Sequence, residues 1–227
     1  MTMKRVFLFM LGCLMCGAMN AQHQQLFDEF RQEVGDQAEM FAGKVEPGYP
    51  STVYINHPYW MSDGFLQGDV RYHGMLYKDV SMRYDAYQKQ LVVKTPVKGS
   101  NVCVPMDGVE TFTLGGRHYE RRNGEFVAIL YSSPRMELME RMEVSMREKF
   151  VDNEKVQYEF KSKMGYCLLH GGQAHDVTNL KSVSKLYPDI KKELRQFAKK
   201  YYLDFKENRS LSLTTLVKHA DELSGQK

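Results

Sequence analysis

Val80, Met82, Tyr84 and Ala86 fall on one parity of the chain, and Ser81, Arg83 and Asp85 on the other. A period of two marks a strand with one buried face. Just upstream, Val70 and Tyr72 alternate with Asp69 and Arg71 in the same way. His73-Gly74 separates the two runs and supplies a turn, since glycine tolerates backbone angles that other residues avoid. Lys78-Asp79 is a second, weaker break. The stretch 65–87 therefore reads as a meander.

The rhythm continues. Strand-like runs occupy 52–55, 90–94, 101–104, 109–114 and 125–131, with a return arm at His118-Tyr119. Gly115-Gly116 and Asn123-Gly124 are hairpin signals between them. Val156 to Phe160 alternates cleanly, and 164–170 pairs across Gly171-Gly172 with 174–177. Strands do not alternate with long amphipathic helices, which excludes a parallel α/β sheet.

Residues 135–150 satisfy two patterns. Met136, Met139, Met142, Met146 and Phe150 form a helical stripe, whereas Met136, Leu138, Met142, Val144 and Met146 share a strand parity broken by Glu140. The hairpin context favours a long, bent strand.

Helical spacing appears at both ends. Leu26, Phe27, Phe30 and Val34 predict a helix over 24–41, followed by a Pro47-Gly48-Tyr49-Pro50 turn. Ser182 to Tyr187 predicts a short helix before Pro188. Ile190, Leu194, Phe197 and Tyr201 give a second helix one apolar face, and its other face carries Lys191, Lys192, Arg195, Lys199 and Lys200. Leu213, Leu216, Val217, Ala220 and Leu223 predict a last one. The expected fold is mainly β: a curved antiparallel sheet, a roll or partly closed barrel, with an N-terminal helix and C-terminal helices packed on it.

Lys4 and Arg5 followed by the apolar run from Val6 read as a secretory signal over 1–21, with cleavage after Ala21. Cleavage after Ala18 is the alternative. Met10-Leu11-Gly12-Cys13 matches a lipoprotein signal only in part. The segments then divide as 22–50 helical leader and linker, 51–180 β domain and 181–227 helices. The expected destination is the periplasm or outer envelope. Loss of Lys4 and Arg5 takes two positive charges from a total of +3, and such near-neutrality carries no nucleic-acid signature. Cys13 and Cys16 fall in the signal. Cys103 and Cys167 are left as a disulfide that export permits or as two buried thiols.

The pattern Gly68-x-Val70-x-Tyr72, then Tyr77-x-x-Val80-x-Met82-Arg83-Tyr84-Asp85-x-Tyr87, resembles that of exported β-rich proteins of Bacteroidetes-type bacteria. The likeness continues loosely through Phe112 and Tyr119 and ends in the segment from Lys181 to Phe197. It implies an exported β architecture and brings no activity, cofactor or catalytic residue with it.

Catalytic motifs are absent from the sequence. It has no dinucleotide or phosphate-binding glycine loop, no His-Glu-x-x-His and no Gly-x-Ser-x-Gly. His170, His175 and Asp176 are the best metal-like group, but they lack the spacing and further ligands of a zinc site. Neither catalytic nor metal residues nor a cofactor are assigned. The leading expectation is a non-enzymatic envelope protein whose curved sheet holds a small apolar or amphipathic ligand against Tyr72, Tyr77, Arg83, Tyr84 and Tyr87. The alternative is a protein-protein interaction or scaffold module without a pocket, contacting an envelope partner through Tyr59, Trp60 and Phe65. An extracytoplasmic hydrolase using Asp107, Glu110, Glu120 or Glu125, or Cys103 with a histidine, is a third reading. The basic helix face adds a membrane surface as a possible contact.

Overall fold

The computed structural model describes residues 35–152 and 155–225. The signal and most of the helix expected over 24–41 lie outside the described residues. The described part of that helix forms two single 3-10 turns, Gly35–Gln37 and Glu39–Phe41.

Eleven strands follow among the described residues. They are β1 (Tyr54–Ile55), β2 (Leu66–Tyr72), β3 (Met75–Asp85), β4 (Gln90–Lys94), β5 (Asn101–Cys103), β6 (Val109–Leu114), β7 (Arg117–Arg122), β8 (Glu125–Ser132), β9 (Met136–Asp152), β10 (Lys155–His170) and β11 (Gln173–Asp176). Two-residue turns join the hairpins as their sequences require. His73 and Gly74 have φ of 46° and 75°, and Asn123 and Gly124 have 51° and 83°. Two successive positive φ values give the turn whose twist matches that of paired strands. The weaker break at Lys78-Asp79 is not a turn. The ladder between β2 and β3 shifts register there, Asp79 takes φ 52°, and its N–H donates to Asp69 Oδ1 at 3.1 Å. This is a β-bulge, which keeps the strand going while re-aiming its side chains.

All ladders are antiparallel except one. β1 runs parallel to β10, with Tyr54 opposite Tyr158. The strand order is β1-β10-β9-β8-β7-β6-β2-β3-β4-β5, and β11 also pairs with β10. The path has two ends that do not meet, so the sheet is open. The roll or partly closed barrel expected from the sequence is not formed, and the reason lies at the edges. β5 is already bonded on its outer side by the segment before the sheet: Cys103 N–H donates to Lys44 O at 2.8 Å, and Glu46 N–H to Asn101 O at 3.0 Å. The outer side of β10 is shared by β1 and β11. Each edge that closure would need is taken by other chain.

Residues 135–150 realise the strand parity, not the helical stripe. The two runs expected at 156–160 and 164–170 are one continuous strand, β10. With β9 it forms a long hairpin paired from Met136↔His170 to Lys155↔Asp152. Three helices follow: α1 (Leu180–Leu186), α2 (Lys191–Lys200) and α3 (Arg209–Ser224). A reciprocal cap starts α1, where Asn179 Oδ1 accepts from Ser182 N–H at 3.0 Å and Ser182 Oγ accepts from Asn179 N–H at 3.1 Å. Such a cap satisfies donors that the first helical turn leaves open.

Two cores result. One lies on β2 to β8 and is closed by Trp60 and Met40. The other lies between β9–β10 and the helices, where Leu138, Leu168, Leu194, Leu213, Leu216 and Val217 are fully buried. Asp221 of α3 locks this second core to the sheet. Its carboxylate accepts from Tyr131 Oη at 2.8 Å and from Arg135 Nε at 2.6 Å.

Candidate interaction surface

The first core is filled by its own rings, and this overturns the expected ligand cavity in a curved sheet. Phe112 and Tyr119 stack at 4.5 Å, and Trp60 meets Tyr119 edge-on at 5.2 Å. Tyr84 packs against Phe112 at 5.6 Å and Phe126 at 6.3 Å. Tyr72, Tyr77 and Tyr84 are buried. Tyr77 also borders a cavity of about 230 Å³ beside Ala38, Phe41 and Val80. Tyr87 lies outside this core, half-exposed, with its ring 5.4 Å from Phe160.

Arg83 is the centre of a clasp. Its guanidinium pairs with Glu46, donates to Asp63 O at 2.7 Å and lies over the rings of Tyr59 at 3.9 Å and Phe65 at 4.5 Å. Tyr59 Oη donates to Glu46 at 2.7 Å, and Tyr49 Oη donates to Asp85 at 2.6 Å. Burial pushes the Asp85 carboxyl above its ordinary pKa, although Tyr49 and the Tyr87 and Gln88 N–H groups donate to it. A buried charge is tolerated when it is paired and hydrogen-bonded in this way. The clasp seats the 56–65 loop on β3. Tyr59 and Trp60 are consequently buried, and Phe65 is half-buried between Arg83 and Lys94.

Three of the carboxylates considered for hydrolysis are each engaged by partners of their own. Glu110 accepts from Gly74 N–H at 2.6 Å, Glu125 pairs with Lys89, and Glu120 holds Arg122 and His118. Cys103 and Cys167 are free thiols on β5 and β10, and burial raises both pKa values. His175 lies opposite Leu168 on β11, while the His170 ring packs on Tyr187 at 4.8 Å.

The feature least used by the fold is the far half of the β9–β10 hairpin. β9 has 17 residues, and β8 beside it has 8. Their ladder covers Glu137 to Glu140 of β9. Beyond Glu140, β9 pairs with β10 on one side and has no ladder partner on the other among the described residues. The faces of this arm are sorted by parity. One carries Met146, Phe150, Val156, Tyr158 and Phe160, interrupted by Glu148 opposite Tyr158, with Phe150 directly opposite Val156 and Met146 opposite Phe160. Phe160 is buried against Tyr49, Tyr54 and Tyr87 at the base of the arm. Toward the tip, Met146 and Val156 are partly exposed, and Phe150 is 76% exposed. The other face carries Arg147, Lys149 and Lys161, with Arg147 Nε donating to Glu159 at 2.6 Å.

An apolar face beside an open strand edge can add a strand from another chain: ladder bonds give affinity and alternate side chains give register. The sequence reading missed Phe150, Val156 and the β9 edge as a surface. The signal was a strand parity running on past the length its neighbour could cover. No protein-family model matches this chain, and no curated protein or solved structure matches it.

Proposed function

We propose that this protein is an exported interaction module without catalytic chemistry, and that it associates with a second copy of itself through the far half of β9. The observation that carries this reading is the open edge of β9 beside the exposed Phe150. The edge is self-complementary. Antiparallel pairing of two β9 strands about Met146 sets Glu143 of each copy opposite Lys149 of the other and Met142 opposite Phe150, with the partly exposed Val144 opposite the exposed Glu148 between them. Opposite charges and apolar pairs facing across strands favour such a register. A two-fold axis makes each contact twice, as in most homodimers. The basic and apolar leader, and the resemblance to exported β-rich proteins, support export and an envelope location.

The test is native mass spectrometry with multi-angle light scattering over a concentration series of the full mature chain. A concentration-dependent dimer that Phe150→Asp converts to monomer, with unchanged circular dichroism, is expected. A wild-type monomer at the highest soluble concentration rejects the reading, as does a dimer indifferent to Phe150→Asp. The denatured mass of the protein recovered from its cells checks removal of residues 1–21.

A further inference from the structure

Seven Lys and Arg residues lie within 180–200 against only Asp189 and Glu193, in a chain whose total charge is +3. The helices gather part of this excess in one place. α1 and α2 flank a cleft of about 470 Å³ lined by Lys181 and Lys185 of α1 and by Lys191 and Arg195 of α2, over an apolar floor of Leu180 and Phe205. The two residues on each helix are four apart, so each pair shares a face. No Asp or Glu lines the cleft. None of the four cations has an ion pair with a carboxylate among the described residues. Like charges held around one space repel each other, and a bound anion removes that cost.

Ser184 supplies a second, independent observation. It lines the same cleft, is 2% exposed, and its Oγ is buried with no hydrogen-bond partner. A helical serine ordinarily returns its hydroxyl to the carbonyl one turn back, as Ser224 does to Ala220 O at 2.8 Å. An unpaired buried hydroxyl costs free energy, and a seated oxyanion would accept its proton.

From this cleft we infer an oxyanion site that takes a phosphoryl group, with Lys181, Lys185, Lys191 and Arg195 supplying charge and the unpartnered Ser184 Oγ a hydrogen-bond donor. Guanidinium and ammonium groups suit phosphate oxygens, Arg by its planar fork and Lys as a point charge. The site is separate from the β9–β10 arm and does not depend on its association. A free phosphate compound and a phospholipid headgroup share this chemistry, and the experiment separates them.

Calorimetric titration of the full mature chain with inorganic pyrophosphate, at constant ionic strength, is expected to show saturable one-to-one binding. Ser184→Ala is expected to weaken it about tenfold, the loss of one hydrogen bond to a charged group. Lys185→Glu with Arg195→Glu is expected to abolish it, with unchanged circular dichroism. Co-sedimentation with phosphatidylglycerol vesicles, against phosphatidylcholine, then gives the source. Pyrophosphate binding together with Ser184-dependent retention on the anionic vesicles assigns a headgroup, and pyrophosphate binding without retention assigns a free phosphate compound. Vesicle retention without pyrophosphate binding, or pyrophosphate binding indifferent to Ser184→Ala, overturns the site in favour of diffuse surface attraction. Absence of both overturns it outright.

Discussion

The near and far halves of the β9–β10 hairpin share one ladder and one alternation of side chains, yet they meet different surroundings. In the near half, Met136, Leu138, Tyr166 and Leu168 lie under the helices and are buried. In the far half the same parity brings Met146, Phe150 and Val156 to the surface. The local pattern is the same in both; the cover is not. α3 places Leu213, Leu216, Val217 and Ala220 over the near half, and β8 ends its ladder at Glu140. Burial is therefore set by which neighbours reach a strand, and an apolar face that its own chain leaves uncovered is available to another chain.

The largest expected difference follows from truncating the same kind of side chain in each half. Leu138→Ala opens a cavity in a fully buried layer and should cost about 2–5 kcal/mol. Met146→Ala in the far half should change stability by no more than about 0.5 kcal/mol, as exposed substitutions do. Urea unfolding of both variants, at a concentration where the chain is monomeric, reads the contrast. Equal losses would mean that the far half is packed in solution and would remove the basis for docking there.

A charge-reversal series tests the register next. Glu143→Lys or Lys149→Glu alone sets like charges opposite each other twice in the proposed dimer and should weaken association several-fold. The double exchange restores opposite signs and should recover it. Sedimentation velocity reads the dimer fraction. Failure of the double variant to recover would place the contact in another register or on another face.

Much of the β order was legible in the sequence because turns and parity are local. His73-Gly74, Gly115-Gly116, Asn123-Gly124 and Gly171-Gly172 all sit at hairpin turns with positive φ. Val80, Met82 and Tyr84 face the core as their parity requires. Openness of the sheet was not legible, because it depends on residues 44–46 bonding to β5 across more than fifty positions. Nor was the parallel pairing of β1 with β10, which joins segments over a hundred residues apart. Tyr84 of β3 has the same alternation whether it lines a cavity or fills a core; the difference comes from Phe112 and Phe126 packing on it. The α1–α2 cleft needs both the turn at Pro188 and the burial of Ser184. The basic residues were visible in the sequence, but their convergence was not.

The last comparison sets Asp221 of α3, which ties the helices to the sheet beside the near half, against an acidic residue of the far half by pH. Burial pushes the Asp221 carboxyl up, but hydrogen bonds from Ser133, Tyr131 and Arg135 outweigh it and hold the pKa below the ordinary range. The unfolded chain then binds a proton at a higher pH than the folded one, so this group's stabilisation is fully present above the unfolded value of about 4 and is lost as pH falls through the folded one. Asp221→Asn should therefore lower stability at neutral pH by about 1–2 kcal/mol, since Arg135 is half-exposed and its pair partly screened, and the deficit should shrink as the wild type is titrated below pH 4. Glu159 of the far half is held below its ordinary range by its hydrogen bond and charge pairing with Arg147, with Lys149 beside it, but both cations are about half-exposed and screening weakens the pair. Urea midpoints measured from pH 3 to 7 should diverge from wild type for Asp221→Asn and diverge in the same direction but less for Glu159→Gln. A flat profile for Asp221→Asn would mean that the helices are held to the near half by apolar contact alone, and a steep one for Glu159→Gln would mean that the far half is ordered by its charges before any partner arrives.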